Sequence, residues 1–278
     1  MGGAVICLAN NKGGIGKTSV TCHLACALGR KGKKVLVVDN DPQSNASGIL
    51  LPKRALVYHT LYEIYDSGGK PPRTASCVYT TEYPGVDVIP NVEQTSGLLL
   101  NLAGGYPESL ATLRRRVRPL AVKDYDVTLV DCPPTVCLFT ANALFASDWA
   151  LVPVDAGSSH SLDGLKKVLD LVESIQDAGN TGLSLLRLLV NRMDARTVIS
   201  RTIAGEVIRR FGEDMVFSSR IPRLTAFEQA DHAKETIFLR QGKSPGARAY
   251  EALAAELLAA LERDKKQKKQ NRKQENTP

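Results

Sequence analysis

Val5-Ile6-Cys7-Leu8-Ala9 runs straight into Asn10-Asn11-Lys12-Gly13-Gly14-Ile15-Gly16-Lys17-Thr18. The first stretch has the apolar continuity of a strand buried on both faces. The second is a glycine loop that ends in Lys17-Thr18 and opens a helix. Glycines let backbone N–H groups close around a phosphate chain. Lys17 is placed to reach its outer phosphates, and the Thr18 hydroxyl suits Mg²⁺. The stretch therefore predicts a strand–loop–helix unit that takes a nucleoside triphosphate.

The loop departs from the usual Gly-x4-Gly-Lys-Thr pattern. Position 11 is asparagine instead of glycine, and a second lysine, Lys12, opens the loop. A lysine beside a phosphate nest suggests a second positive charge for the triphosphate.

Outward from this unit, the strand candidates are Val5–Ala9, Lys34–Asp39, Val86–Pro90, Tyr125–Asp131, Trp149–Val154, Leu185–Asn191 and Met215–Ser219. Helix-length segments separate most of them: Thr18–Arg30, Pro107–Val117, Thr140–Ala146, Leu162–Asp177 and Ala195–Phe211. Residues 40–85 read as loops and short helices. A last helix is predicted from Ser244 to Arg263, with Tyr250, Leu253, Leu257, Leu258 and Leu261 on one apolar face. Alternation of this kind predicts an α/β fold, a single P-loop domain with a mostly parallel twisted sheet and helices on both faces. Ligands of such sheets bind beyond the carboxyl ends of the strands, so the residues just after each strand matter most.

The chain has 278 residues, 43% hydrophobic and 23% charged, as expected of a globular protein. No apolar stretch reaches the roughly 20 residues of a membrane span. The first strand starts close to Met1, which leaves no room for a signal peptide. The cysteines Cys7, Cys22, Cys26, Cys77, Cys132 and Cys137 show no zinc-type pairing and read as small buried apolar residues in a reducing compartment. Residues 262–275 hold seven basic and three acidic side chains, +4 of the net +7. With almost no apolar residues, 264–278 is expected to be a basic, disordered tail behind a domain at 1–263. It reads either as a solubilising end or as a polyanion contact.

Two more strand ends carry carboxylates. One is Asp39-Asn40-Asp41-Pro42-Gln43, where Pro42 ends any ladder. The other is Leu129-Val130-Asp131-Cys132-Pro133-Pro134. A carboxylate closing an apolar strand is the usual Mg²⁺-side partner of a phosphate loop.

Together these three motifs resemble the nucleotide site of the ParA/MinD ATPases, P-loop enzymes with a deviant Walker A motif and a signature lysine. The likeness runs to about residue 260. The stretches Asp41-Pro42-Gln43-Ser44-Asn45, Asp194-Ala195-Arg196-Thr197 and Arg220-Ile221-Pro222-Arg223-Leu224-Thr225 are most similar to Soj-type ParA partition ATPases. The resemblance implies that Gly13, Gly14, Ile15, Gly16, Lys17, Thr18 and Ser19 hold phosphates, with Thr18 on Mg²⁺. It implies that Lys12 crosses a dimer interface to the partner's ATP and that Asp41 orients the attacking water near the metal. Asp39 and Asp131 would support Mg²⁺ and its waters. Asn191 would read adenine, because an amide both donates and accepts.

The implied activity is Mg²⁺-dependent ATP hydrolysis by a cytoplasmic, nucleoid-associated protein. An ATP-bound homodimer would bind double-stranded DNA without reading sequence. A ParB-like or other cargo-bound activator would stimulate hydrolysis. Candidate DNA contacts are Arg196, Arg201, Arg220, Arg223, Arg240, Lys243 and the tail. The alternatives are a MinD-like membrane-associated ATPase, against which the polar basic end argues, and a metabolic ATPase on the same fold.

Overall fold

A computed structural model describes residues 2–66, 68, 71–158 and 161–275. Seven strands form one sheet: β1 Ala4–Leu8, β2 Val35–Asp39, β3 Tyr79–Thr80, β4 Val86–Ile89, β5 Val127–Asp131, β6 Trp149–Asp155 and β7 Ser184–Asn191. Their order is β3-β4-β2-β5-β1-β6-β7. Every pairing is parallel except β3 with β4. The α-helices are α1 Lys17–Arg30, α2 Asn45–Leu50, α3 Leu61–Tyr65, α4 Leu99–Gly104, α5 Thr112–Arg116, α6 Arg118–Asp124, α7 Leu138–Ala146, α8 Ser161–Asp177, α9 Val198–Phe211, α10 Thr225–His232, α11 Ile237–Gln241 and α12 Pro245–Glu275.

Side chains of β1 divide between two cores. Val5 and Cys7 join Val38, Val130 and residues of α5 and α7 on one face. Ala4, Ile6 and Leu8 join Val37, Leu129 and residues of α1 and α12 on the other. Both faces of the strand are therefore buried, which is why it reads as an unbroken apolar run. The predicted face of the last helix, Tyr250, Leu253, Leu257 and Leu261, is buried in the second core.

Register fixes the site. β5 lies between β1 and β2, so that Asp131 stands opposite Leu8 on one side and Asp39 on the other. Three strand ends thus bring the glycine loop and two acidic turns to one edge.

The structure corrects two expectations. Met215–Ser219 is not a strand: Glu213–Met215 is a 3₁₀ turn, and Val216 makes only an isolated bridge to Leu188. The Ser218 and Ser219 N–H groups donate to the Glu256 carboxylate of α12 instead of a ladder. The helix expected over Pro107–Val117 is a 3₁₀ turn, Glu108–Ala111, followed by α5, and Pro119 lies in the first turn of the separate α6. In the segment beyond residue 263, α12 runs on to Glu275. Lys, Gln, Glu and Arg are good helix formers, and the packed part of α12 supplies the costly nucleus. Residues 276–278 of that segment lie outside the described residues.

α1 is fastened to the C-terminal helices by a buried histidine. His23 Nδ1–H donates to the Ser19 carbonyl (2.7 Å), and Nε2 accepts from the Ile237 N–H (3.0 Å). The ring stacks on Tyr250 at 4.9 Å and meets Phe227 edge-on at 5.2 Å. These partners require the neutral ring, and burial pushes the His23 pKa down to about 4.

Candidate nucleotide-binding site

The loop after β1 turns on two glycines with positive φ, Gly14 (72°) and Gly16 (84°). A Cβ on Gly16 would stand 2.9 Å from Asn191 Nδ2, so both the backbone angle and the space demand glycine. Asn191 donates to the Ile15 carbonyl (2.7 Å), and Arg192 donates to the Gly14 carbonyl. The end of β7 therefore braces the loop from one side. Asn11 braces it from the other, with Oδ1 accepting from the Val136 N–H (3.1 Å). That bond accounts for an asparagine where the usual motif has glycine.

Lys17 is buried and donates to the Lys12 carbonyl (3.1 Å). Burial lowers its pKa, opposed by the charges of Asp131 and Asp41. Thr18 Oγ1 donates to Asp131 Oδ2 (2.7 Å), and Thr21 Oγ1 to Asp131 Oδ1 (3.0 Å). Asp131 is fully buried, and burial pushes its carboxyl up to about 6. Asp39 rises to about 7, chiefly through burial and then through the facing Asp131 charge.

Asp39 is committed elsewhere. Its Oδ2 accepts from the Ser47 N–H (2.7 Å) and hydroxyl (2.6 Å), and its Oδ1 from the Asp41 N–H (3.3 Å). These bonds hold α2 and the acidic turn in place. Asp41 accepts from the Gln43 N–H (2.9 Å), and burial raises its pKa.

A cavity of about 430 Å³ opens over the loop. Gly13, Gly14, Gly16, Lys17, Thr18, Ser19 and Asp41 line it, while Asp39, Asp131 and Lys12 do not. A smaller cleft adjoins it, walled by Asn191, Arg192, Arg223, Phe227 and Asp231. The larger volume suits a nucleotide-sized ligand. Cationic Lys17, loop N–H groups and the start of α1 suit its phosphates.

The chain matches the family described as an AAA domain over residues 3–185. It is 35% identical over 262 residues to the sporulation initiation inhibitor protein Soj of Bacillus subtilis, covering 92% of this chain and 99% of Soj. Against the chromosome-partitioning ATPase Soj of Thermus thermophilus it is 36% identical over 258 residues, 92% and 96% of the two chains. The chain belongs to the ParA/Soj family. Its fold also matches cobyrinic acid a,c-diamide synthase from Mycobacterium smegmatis with bound ADP and magnesium, with a TM-score of 0.78 and 27% identity over 94% of this chain and 96% of that one.

This ParA-family chain has the hard-oxygen donors a magnesium ion takes, the Thr18 hydroxyl and the Asp41 and Asp131 carboxylates. Among the described residues no cluster of three or more His, Cys, Asp or Glu could hold a metal alone. Mg²⁺ takes one or two protein oxygens and completes its shell with phosphate and water, so a hydroxyl and a carboxylate fit it.

The candidate DNA residues fall into two groups. Arg223 N–H bonds to the Met193 carbonyl (3.0 Å), which joins the Arg220–Arg223 segment to the one bearing Arg196 and Arg201 beside β7. Arg196 is paired with Asp194 (2.9 Å), and Arg220 is half-buried near Glu256. Arg240 and Lys243 lie apart in sequence, on and just after α11, with Arg240 paired to Glu235 (2.5 Å). No helix among the described residues is long and apolar enough to cross a membrane. All six cysteines are free, and five are buried.

Sequence reasoning missed one wall of the cavity: Ser44, Arg192, Asp231 and Lys234. α10, which carries Asp231, was not foreseen. Arg192, next to Asn191 at a strand end, was the one findable member.

Proposed function

We propose that this chain is an ATP-hydrolysing partition protein whose ATP-bound form is a homodimer that grips DNA. One observation carries the reading: the loop's two lysines are spatially divided. Lys17 lines the cavity, whereas Lys12 points away and donates its ammonium to Ser158, beyond β6. A lysine in a phosphate loop that does not serve its own cavity is suited to serve a second subunit's.

In this reading the loop N–H groups and Lys17 bind the phosphates. Thr18, bonded to Asp131 in the nucleotide-free chain, would with that carboxylate hold the magnesium ion and its water shell. Asp41, on the cavity wall with a raised pKa, orients the attacking water. Asp39 acts indirectly by holding the Asp41 turn. Magnesium, when bound, supplies charge neutralisation for the phosphates. Asn191 spends one of its two amide N–H groups on Ile15, and its oxygen suits an adenine amino group.

Dimerisation would double the phosphate contacts offered by Arg196, Arg201, Arg220, Arg223 and the basic end of α12. Non-specific affinity rises steeply with that number, so a nucleotide-controlled dimer is a DNA switch. A ParB-like or other cargo-bound protein would stimulate hydrolysis, and ADP would then dissolve the dimer and weaken its hold on DNA.

Gel shifts and sedimentation with ATP, ADP and no nucleotide test this. Duplex binding should require ATP and ignore sequence. With about six phosphate contacts it should weaken about 10³-fold between 50 and 200 mM salt. Equal DNA affinity in ATP and ADP would sink the switch. No DNA binding at low salt would sink the partition reading and favour a membrane-binding or a metabolic ATPase.

A further inference from the structure

Three residues other than glycine hold positive φ among the described residues: Ser44 (55°), Arg192 (54°) and Lys234 (53°). All three line the nucleotide cavity. Left-handed backbone is unfavourable for residues with a side chain, and it persists where the surrounding structure imposes it, often at ligand sites.

Lys234 is the least expected of the three. α10 closes with both bonds of a Schellman motif: the Lys234 N–H bonds to the Asp231 carbonyl (3.1 Å) and the Glu235 N–H to the Ala230 carbonyl (3.0 Å). Lys234 thus occupies the position just past the helix cap, where glycine is the usual residue. Its side chain crosses to α2. A Cβ built on Gly48 would lie 3.7 Å from Lys234 Cδ and 3.9 Å from Nζ. The ammonium is thereby held against the cavity wall. It forms no ion pair among the described residues, while the adjacent Glu235 is paired with Arg240 (2.5 Å) and Lys53 (4.0 Å).

We infer that Lys234 is a nucleotide-binding cation supplied from outside the phosphate loop, closing the cavity on the side of α2. This rests on the proposed nucleotide site and assigns it a further residue. The position within the ligand follows from the neighbours. Asp231, one helical turn earlier, shares both clefts with Ser19 and Arg192. Ser19 lies at the end of the loop away from Lys12, and Lys12 is drawn off towards Ser158. Lys234 lines only the larger cavity, against Gly48 of α2, and so faces the phosphates held there.

Glycine at 234 separates this role from a structural one. Lys234→Gly keeps the left-handed backbone and removes its steric penalty, so the nucleotide-free chain should melt about 2 °C higher. Its affinity for ATP and for ADP, measured by calorimetry with Mg²⁺, should fall five- to tenfold, about one charge-assisted contact at an open site. Lys234→Arg should retain most of the affinity. Unchanged affinity in Lys234→Gly would overturn the proposal. Failure of the unaltered chain to bind either nucleotide would refute the nucleotide reading, and this proposal with it.

Discussion

Acidification should loosen the chain through His23, by an amount the structure sets. The ring is fully buried, neutral and bonded on both nitrogens, and its pKa is pushed down to about 4. An unfolded histidine titrates near 6.5. Between those values the unfolded chain binds more protons than the folded one, so stability falls as pH drops from about 6.5 towards 4. The full span is worth about 3 kcal/mol, and about 2 kcal/mol of it is lost between pH 7 and 4.5.

Asp39 and Asp131 work in the opposite sense. Their folded pKa values are raised, to about 7 and 6, so acidification through that range favours the folded, metal-free chain. The measurement must therefore be a difference. His23→Phe keeps a ring against Tyr250 but removes the titration, and it leaves the Ile237 N–H without its acceptor. It should be less stable than the unaltered chain by about 1–3 kcal/mol at pH 7. Urea unfolding of both proteins from pH 7 to 4.5, without nucleotide or metal, gives the comparison. The gap between them should shrink by about 2 kcal/mol across the series. A gap that stays constant with pH would refute the neutral, double-bonded histidine.

Lys17→Ala should lower ATP affinity at least about 100-fold by calorimetry, since a buried charge-assisted contact to the outer phosphates is lost; unchanged affinity would remove the assigned site. Lys12→Ala should bind nucleotide within about twofold of the unaltered chain, because its ammonium lies outside the cavity. Light scattering should show that its ATP-dependent dimer is lost, and a normal dimer with normal turnover would return Lys12 to bracing Ser158. Asp41→Ala should slow phosphate release by about 10²-fold with ATP affinity largely kept; turnover at the unaltered rate would move the water-orienting role to another carboxylate. Removing 264–278 should flatten the salt dependence of DNA binding if that basic helical end touches phosphates, and an identical slope would exclude it.

The phosphate loop, the strand ends and the parallel sheet were legible because their signals are local. Val5–Ala9 must be apolar on both faces, Gly14 and Gly16 must adopt positive φ, and Lys17-Thr18 must follow at fixed spacing. Boundaries of β1, β2, β5, β6 and β7 fell within a residue or two of expectation for the same reason. The segment after Gly212 misled because the Ser218 and Ser219 N–H groups go to Glu256, distant in sequence and invisible to periodicity.

What the amino-acid order determined by itself was the chemistry available: two lysines, a hydroxyl and three carboxylates at strand ends. Only the tertiary structure decided how these are shared. Strand order sets Asp131 between Leu8 and Asp39, which puts one carboxylate on Thr18 and diverts the other to Ser47. The fold also draws Lys12 out of the cavity and brings in Arg192 and Lys234, whose left-handed backbones carry no mark in residue type. Motif spacing encodes what lies within a few residues along the chain. The opposite wall of a cavity is assembled from segments some two hundred residues away, whose placement follows from how both faces of the sheet are packed.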